Sequence, residues 1–122
     1  MMTESFDTSM LIRGVSKDPE FPHAPLSWVR GTAQEMADQE GLAMTDEHWE
    51  VIRALQDFYE RHEGTPIHLR ELHDALDEKF HVKGGIKHLF EIFPGGPIAQ
   101  GCRLAGLKAP FIASDRSFGS VA

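Results

Sequence analysis

The stretch Thr45-Asp46-Glu47-His48-Trp49-Glu50-Val51-Ile52-Arg53-Ala54-Leu55-Gln56-Asp57-Phe58-Tyr59-Glu60-Arg61-His62 decides the fold. Thr45 suits the residue before a helix, where a side-chain oxygen accepts from the first free amides. Asp46 and Glu47 then place negative charge at the positive end of the helix dipole. Trp49, Ile52, Leu55, Phe58 and Tyr59 recur at three- and four-residue spacings, so they share one face and call for a partner to cover it. Glu63-Gly64-Thr65-Pro66 ends the pattern near His62.

The same periodicity extends in both directions. Downstream, Leu69, Leu72, Leu76 and Phe80 form a second stripe, broken by Gly84-Gly85. Ile86, Leu89, Phe90 and Phe93 follow as a short helix that stops at Pro94-Gly95-Gly96-Pro97. Pro97 fits the first turn of a last helix, where its missing N–H is not needed. That helix puts Ile98, Cys102 and Ala105 on one face and ends at Gly106. Upstream, the pattern starts at Pro25 with Leu26, Val29, Ala33, Met36 and Ala37, and Gly41 stops it.

Residues 1–24 carry no helical period. The run Met10-Leu11-Ile12-Arg13-Gly14-Val15, then Lys17-Asp18-Pro19-Glu20 and Phe21-Pro22, suits a small β-hairpin or an extended arm. Residues 111–122 are rich in Ser, Ala and Gly without periodicity, which suits a flexible tail. The expected fold is mainly α (α+β). It is a small orthogonal bundle of about five helices over residues 25–110, between an N-terminal arm or hairpin (1–24) and a flexible C-terminal arm (111–122).

Bulk properties narrow the function. The 122 residues suffice for one domain, and 41% apolar with 25% charged residues is a globular balance. No apolar run is long enough to span a membrane. The start, MMTESFDTSM, lacks the basic and apolar regions of a secretory signal. A single cysteine suits a reducing cytoplasm. The net charge of −7 argues against non-specific nucleic-acid binding. Residues 1–80 hold 7 Lys/Arg against 17 Asp/Glu, whereas residues 81–122 hold 5 against 2, so the basic part surrounds the only thiol. Seven histidines include His68 and His73, but no His-Glu-x-x-His or Cys-x-x-Cys spacing occurs. No metal site or cofactor is expected, and no Gly-rich phosphate loop, Ser-His-Asp set or pair of catalytic carboxylates can be argued.

Three stretches carry a family resemblance. They are Leu42 to Arg53; Asp57-Phe58-Tyr59 leading through Thr65-Pro66 to Arg70; and Leu89-Phe90-x-x-Phe93-Pro94-x-Gly96-Pro97-x-x-Gln100-x-Cys102-x-Leu104-Ala105-Gly106-Leu107. Together they resemble the DsrC/TusE family, comprising the gamma subunit of dissimilatory sulfite reductase and its relative in tRNA thiolation. The resemblance implies a helical bundle after a β-hairpin and a C-terminal arm that carries sulfur on its next-to-last residue, a cysteine. In the DsrC branch a second cysteine lies eleven residues upstream of that one, and Cys102 matches it. The TusE branch keeps the arm cysteine and lacks the upstream one. Here Ala113 and Ser114 stand where the arm thiol is expected, and no thiol follows to Ala122.

Cys102 is therefore the only possible sulfur acceptor. Its position late in a short helix disfavours a thiolate, whereas Arg103, Lys108 and Lys87 would favour one if they approached it. A buried core role for the thiol is the plainer alternative. The reading is a non-enzymatic accessory or regulatory protein of sulfur metabolism. It would dock to a sulfite-reductase-like or sulfurtransferase partner, with Arg103, Lys108 and Lys87 as contacts. Were it active, it would be a sulfurtransferase or sulfur carrier. One alternative is a helix-turn-helix regulator, although Glu71, Asp74, Asp77 and Glu78 beside Arg70 and Lys79 would repel DNA. The other is a relay carrier that borrows a partner's thiol.

Overall fold

A computed structural model describes residues 18–110. These contain five α-helices: α1 Arg30–Gln39, α2 Asp46–Arg61, α3 Leu69–Lys79, α4 Gly85–Ile92 and α5 Ala99–Ala105. A 3-10 turn, His81–Lys83, joins α3 to α4. Helix α2 is the longest and forms the spine. Thr45 and His48 close a capping box at its start, with His48 in the place usually held by Glu or Gln. The Thr45 N–H donates to His48 Nδ1 at 3.0 Å, so the ring must donate from Nε2, and it does so to the Ile92 carbonyl at 2.6 Å. His48 thereby ties the start of α2 to the end of α4, and its ring meets Phe93 edge-on at 4.8 Å.

The core gathers on the expected stripes. Ile52, Leu55 and Phe58 of α2, Leu72 and Leu76 of α3, Leu89 of α4 and Cys102, Leu104 and Ala105 of α5 are all buried. Trp49 and Tyr59 lie at the stripe's edges, half-buried against the core. Helix α5 packs across α2, with α1 covering another side of α5 and α3 pairing with α4. The close approach of α2 and α5 depends on Gly101, where an added Cβ would stand 2.8 Å from Leu55 Cδ1. At the α3–α4 junction, Gly85 adopts φ +69°, and Asp77 Oδ1 accepts the Ile86 N–H at 2.8 Å to cap α4.

One expectation needs correction. The first helix begins at Arg30, not Pro25, and Leu26 and Val29 are exposed instead of facing the core. A turn over Pro25–Trp28 displaces them, closed by the Trp28 N–H to the Pro25 carbonyl at 3.1 Å. It delivers Trp28 to the interior, where its indole N–H donates to the Leu104 carbonyl at 2.7 Å. Among the described residues there is no strand. The proposed hairpin falls mostly on residues 1–17, outside them, and residues 18–24 form turns. That stretch is anchored by Phe21, which lies 4.9 Å from Trp28 and 5.7 Å from Trp49, with Arg30 and Arg53 over its ring at 4.8 and 5.0 Å. Arg30 also grips Asp18 and Glu20 at 2.7 and 3.0 Å. Residues 18–24 thus pack against the start of α1 and against α2. The tail, residues 111–122, lies outside the described residues.

Candidate functional site: the covered thiol of α5

Pro97 and Gly96 start the last helix. The amides of Gln100 and Gly101 donate to the carbonyls of Gly96 and Pro97, so helical bonding begins where proline's missing N–H costs nothing. Gln100 is buried and binds on both sides. Its Oε1 accepts the Gly95 N–H at 3.0 Å, and its Nε2 donates to Glu40 at 2.7 Å. Arg103 adds two bonds to the same carboxylate, at 3.0 and 2.9 Å. These bonds hold the Glu40 carboxyl below its ordinary pKa, the Arg103 contact first and that of Gln100 second. The Pro-Gly-Gly-Pro turn, α5 and the end of α1 are thus locked together around one carboxylate.

This frame puts Cys102 in the interior with no exposed surface (0%). Its S–H donates to the Tyr59 hydroxyl at 3.7 Å, and that hydroxyl donates to the Lys108 carbonyl at 2.6 Å. Burial pushes the thiol pKa up to about 11. The Tyr59 phenol is itself pushed up, first by burial and then by the neighbouring thiol. At neutral pH the thiol is therefore held protonated more firmly than an ordinary free cysteine.

The cations expected around the thiol do not reach it. Arg103 turns outward to Glu40, Lys87 is exposed on α4, and Lys108 offers Tyr59 its backbone carbonyl while its side chain is exposed. Neither Lys87 nor Lys108 has an ion-pair partner among the described residues. The thiol's neighbour of consequence, Tyr59, stood in the α2 stripe and in the family stretch without a role at the thiol. Its polar tip at a buried position was the available sign, because a buried phenol needs a hydrogen-bond partner. Beside it lies a cleft of about 560 Å³ lined by Tyr59, Thr65, Pro66, Ile67 and Lys108 to Pro110.

Other candidate sites gain no support from the geometry. Among the described residues, no three His, Cys, Asp or Glu side chains converge to hold a metal ion. His88 pairs with Glu47 at 3.1 Å, and His23 with Glu60 at 2.5 Å. On α3, Leu72 and Leu76 face the core, whereas Arg70, Glu71, Asp74, Asp77, Glu78 and Lys79 are exposed. No helix among the described residues is long and apolar enough to cross a membrane.

Fold and site define a class: a small bundle of short helices whose last helix buries one thiol beneath the chain leaving toward the C-terminus. The family model of DsrC-like proteins matches residues 16–112, and the chain belongs to this DsrC/TusE family of sulfur-relay proteins. It is 38% identical over 85 residues to sulfurtransferase TusE of Pectobacterium atrosepticum, covering 69% of this chain and 77% of that protein. The Escherichia coli K12 sulfurtransferase TusE is likewise 38% identical, over 68% of this chain and 76% of its own. The NMR structure of Allochromatium vinosum DsrC matches with a TM-score of 0.58 and 42% identity, over 69% of this chain and 75% of that one.

Proposed function

We propose that this chain is an accessory member of the sulfur-relay family, which docks to sulfurtransferase or sulfite-reductase-like partners and carries no sulfur on its own thiol in the resting fold. The burial of Cys102 beneath the Tyr59 hydroxyl carries this reading. Sulfur transfer needs a thiolate that can reach the sulfur of a donor persulfide, and here both the ionised form and the approach are suppressed. No further thiol follows in residues 103–122. The exposed side chains of Lys87 and Lys108 are free to meet an acidic partner surface, whereas Arg103 is occupied by Glu40.

Intact-mass measurement after incubation with a persulfide donor tests this. The native protein is expected to gain no sulfur atom, and the urea-unfolded protein to gain one that Cys102→Ala abolishes. Uptake by the native protein at the unfolded rate would overturn the reading. Affinity capture from the native host is expected to recover sulfurtransferase or sulfite-reductase subunits, weakened by Lys87→Ala and Lys108→Ala.

A further inference from the structure

We propose that Tyr59 is a latch that makes exposure of Cys102 depend on whether the segment Leu107 to Pro110 stays in place. The inference rests on the reading of the resting thiol as covered, and it says what uncovers it. A phenol has one O–H to donate. Tyr59 gives it to the Lys108 carbonyl at 2.6 Å and accepts the Cys102 S–H at 3.7 Å on its oxygen. One hydroxyl therefore joins α2, the thiol of α5 and the chain that follows α5.

The same segment also holds the backbone of the cysteine. The Leu107 N–H donates to the Cys102 carbonyl at 2.8 Å, across Gly106 in the left-handed region at φ +79°. Lifting Leu107 to Pro110 removes both ties at once. Two clefts border Tyr59 and give it space to move. Tyr59 lines both a cleft of about 560 Å³ along Thr65 to Ile67 and a second of about 380 Å³ that Glu60, Glu63 and Leu107 help to line. Ile52, Leu55 and Leu104, by contrast, have no exposure and gain no freedom from that movement. The opening is local: the ring turns away and the thiol is reached while α2 and α5 remain packed. A partner that grips the chain where it leaves Pro110 would perform this step.

The experiment follows reaction of the full chain with a dipyridyl disulfide, in which the Cys102 thiolate displaces one thiopyridone and forms the mixed disulfide. In the wild-type protein the rate is expected to track hydrogen exchange of the Leu107 amide and to exceed that set by the Ile52 and Leu55 amides. Tyr59→Phe keeps the ring and removes both hydroxyl bonds, of which the one to the Lys108 carbonyl holds the segment, so the rate should rise about two- to tenfold, the worth of that one hydrogen bond. Ile52→Val, a loss of packing in the same helix, should raise it only as far as it populates the unfolded chain. The latch is overturned if Tyr59→Phe leaves the rate unchanged, or if the wild-type rate coincides with global unfolding. The second comparison decides alone should Tyr59→Phe not fold. A wild-type thiol that reacts as fast as in urea instead sinks the covered-thiol reading itself.

Discussion

Raising the pH should weaken this fold, first through the sulfur of Cys102. Its pKa rises from 9.0 to about 11 in the folded chain because burial strips the thiolate of water. The stabilisation from holding a neutral thiol is fully present below about pH 9 and lost as the pH rises toward about 11, because only the unfolded chain releases its proton in that window. At pH 10 the unfolded thiol is mostly ionised and the folded one mostly protonated, so the loss at that pH is on the order of 1 kcal/mol. Urea unfolding followed by far-ultraviolet circular dichroism, at intervals from pH 7 to 10, measures it against Cys102→Ala. That variant carries a constant packing penalty and lacks the titration of the thiol. The stability gap between the two proteins should therefore narrow by on the order of 1 kcal/mol across the range. A gap that stays constant would mean the thiol is hydrated in the folded chain, refuting the burial argument for the site.

Three further substitutions probe the frame that holds it. Gly101→Ala adds a methyl 2.8 Å from Leu55 Cδ1, and despite alanine's better helix propensity it should lower stability by about 1–3 kcal/mol in thermal unfolding. A more stable variant would mean that α2 and α5 can separate freely. Thr45→Ala removes half of the capping box at the start of α2 and should cost about 1 kcal/mol by urea titration. Gly85→Ala forces a side chain into φ +69° and brings its Cβ within 2.4 Å of Asp77 Oδ1, so about 1–3 kcal/mol should be lost. Amide exchange should locate that loss at Ile86.

Much of the bundle was legible because its helices bury simple stripes. Thr45, Asp46 and the Ile52/Leu55/Phe58 face mark α2 at both ends, and Leu72 with Leu76 marks α3 as plainly. Reading failed where local pattern competes with long-range packing. Leu26 and Val29 continue the period of α1 backward, but burying Trp28 against Leu104 turns the chain there and leaves both outside. Phe21, alone among turn-forming residues, gave no periodic sign that it fills the space between Trp28 and Trp49. At the site, Cys102 could be placed on the inner face of α5 from Ile98 and Ala105. Its covering could not, because Tyr59 and Lys108 lie far from it along the chain and meet it only through the fold. Likewise, Arg103 beside the thiol in sequence points away from it, since one residue of helix turns a side chain by about 100°.

The indole of Trp28 gives this protein a built-in optical gauge. Its N–H is bonded to the Leu104 carbonyl at 2.7 Å, and its ring lies against Gly106, where an added Cβ would meet it at 2.9 Å. Any loosening of the last turn of α5 must hydrate that ring and shift its emission to longer wavelength. With Trp49 replaced by Phe, Trp28 becomes the sole tryptophan, and its fluorescence reports in real time when a partner disturbs the end of the thiol-bearing helix.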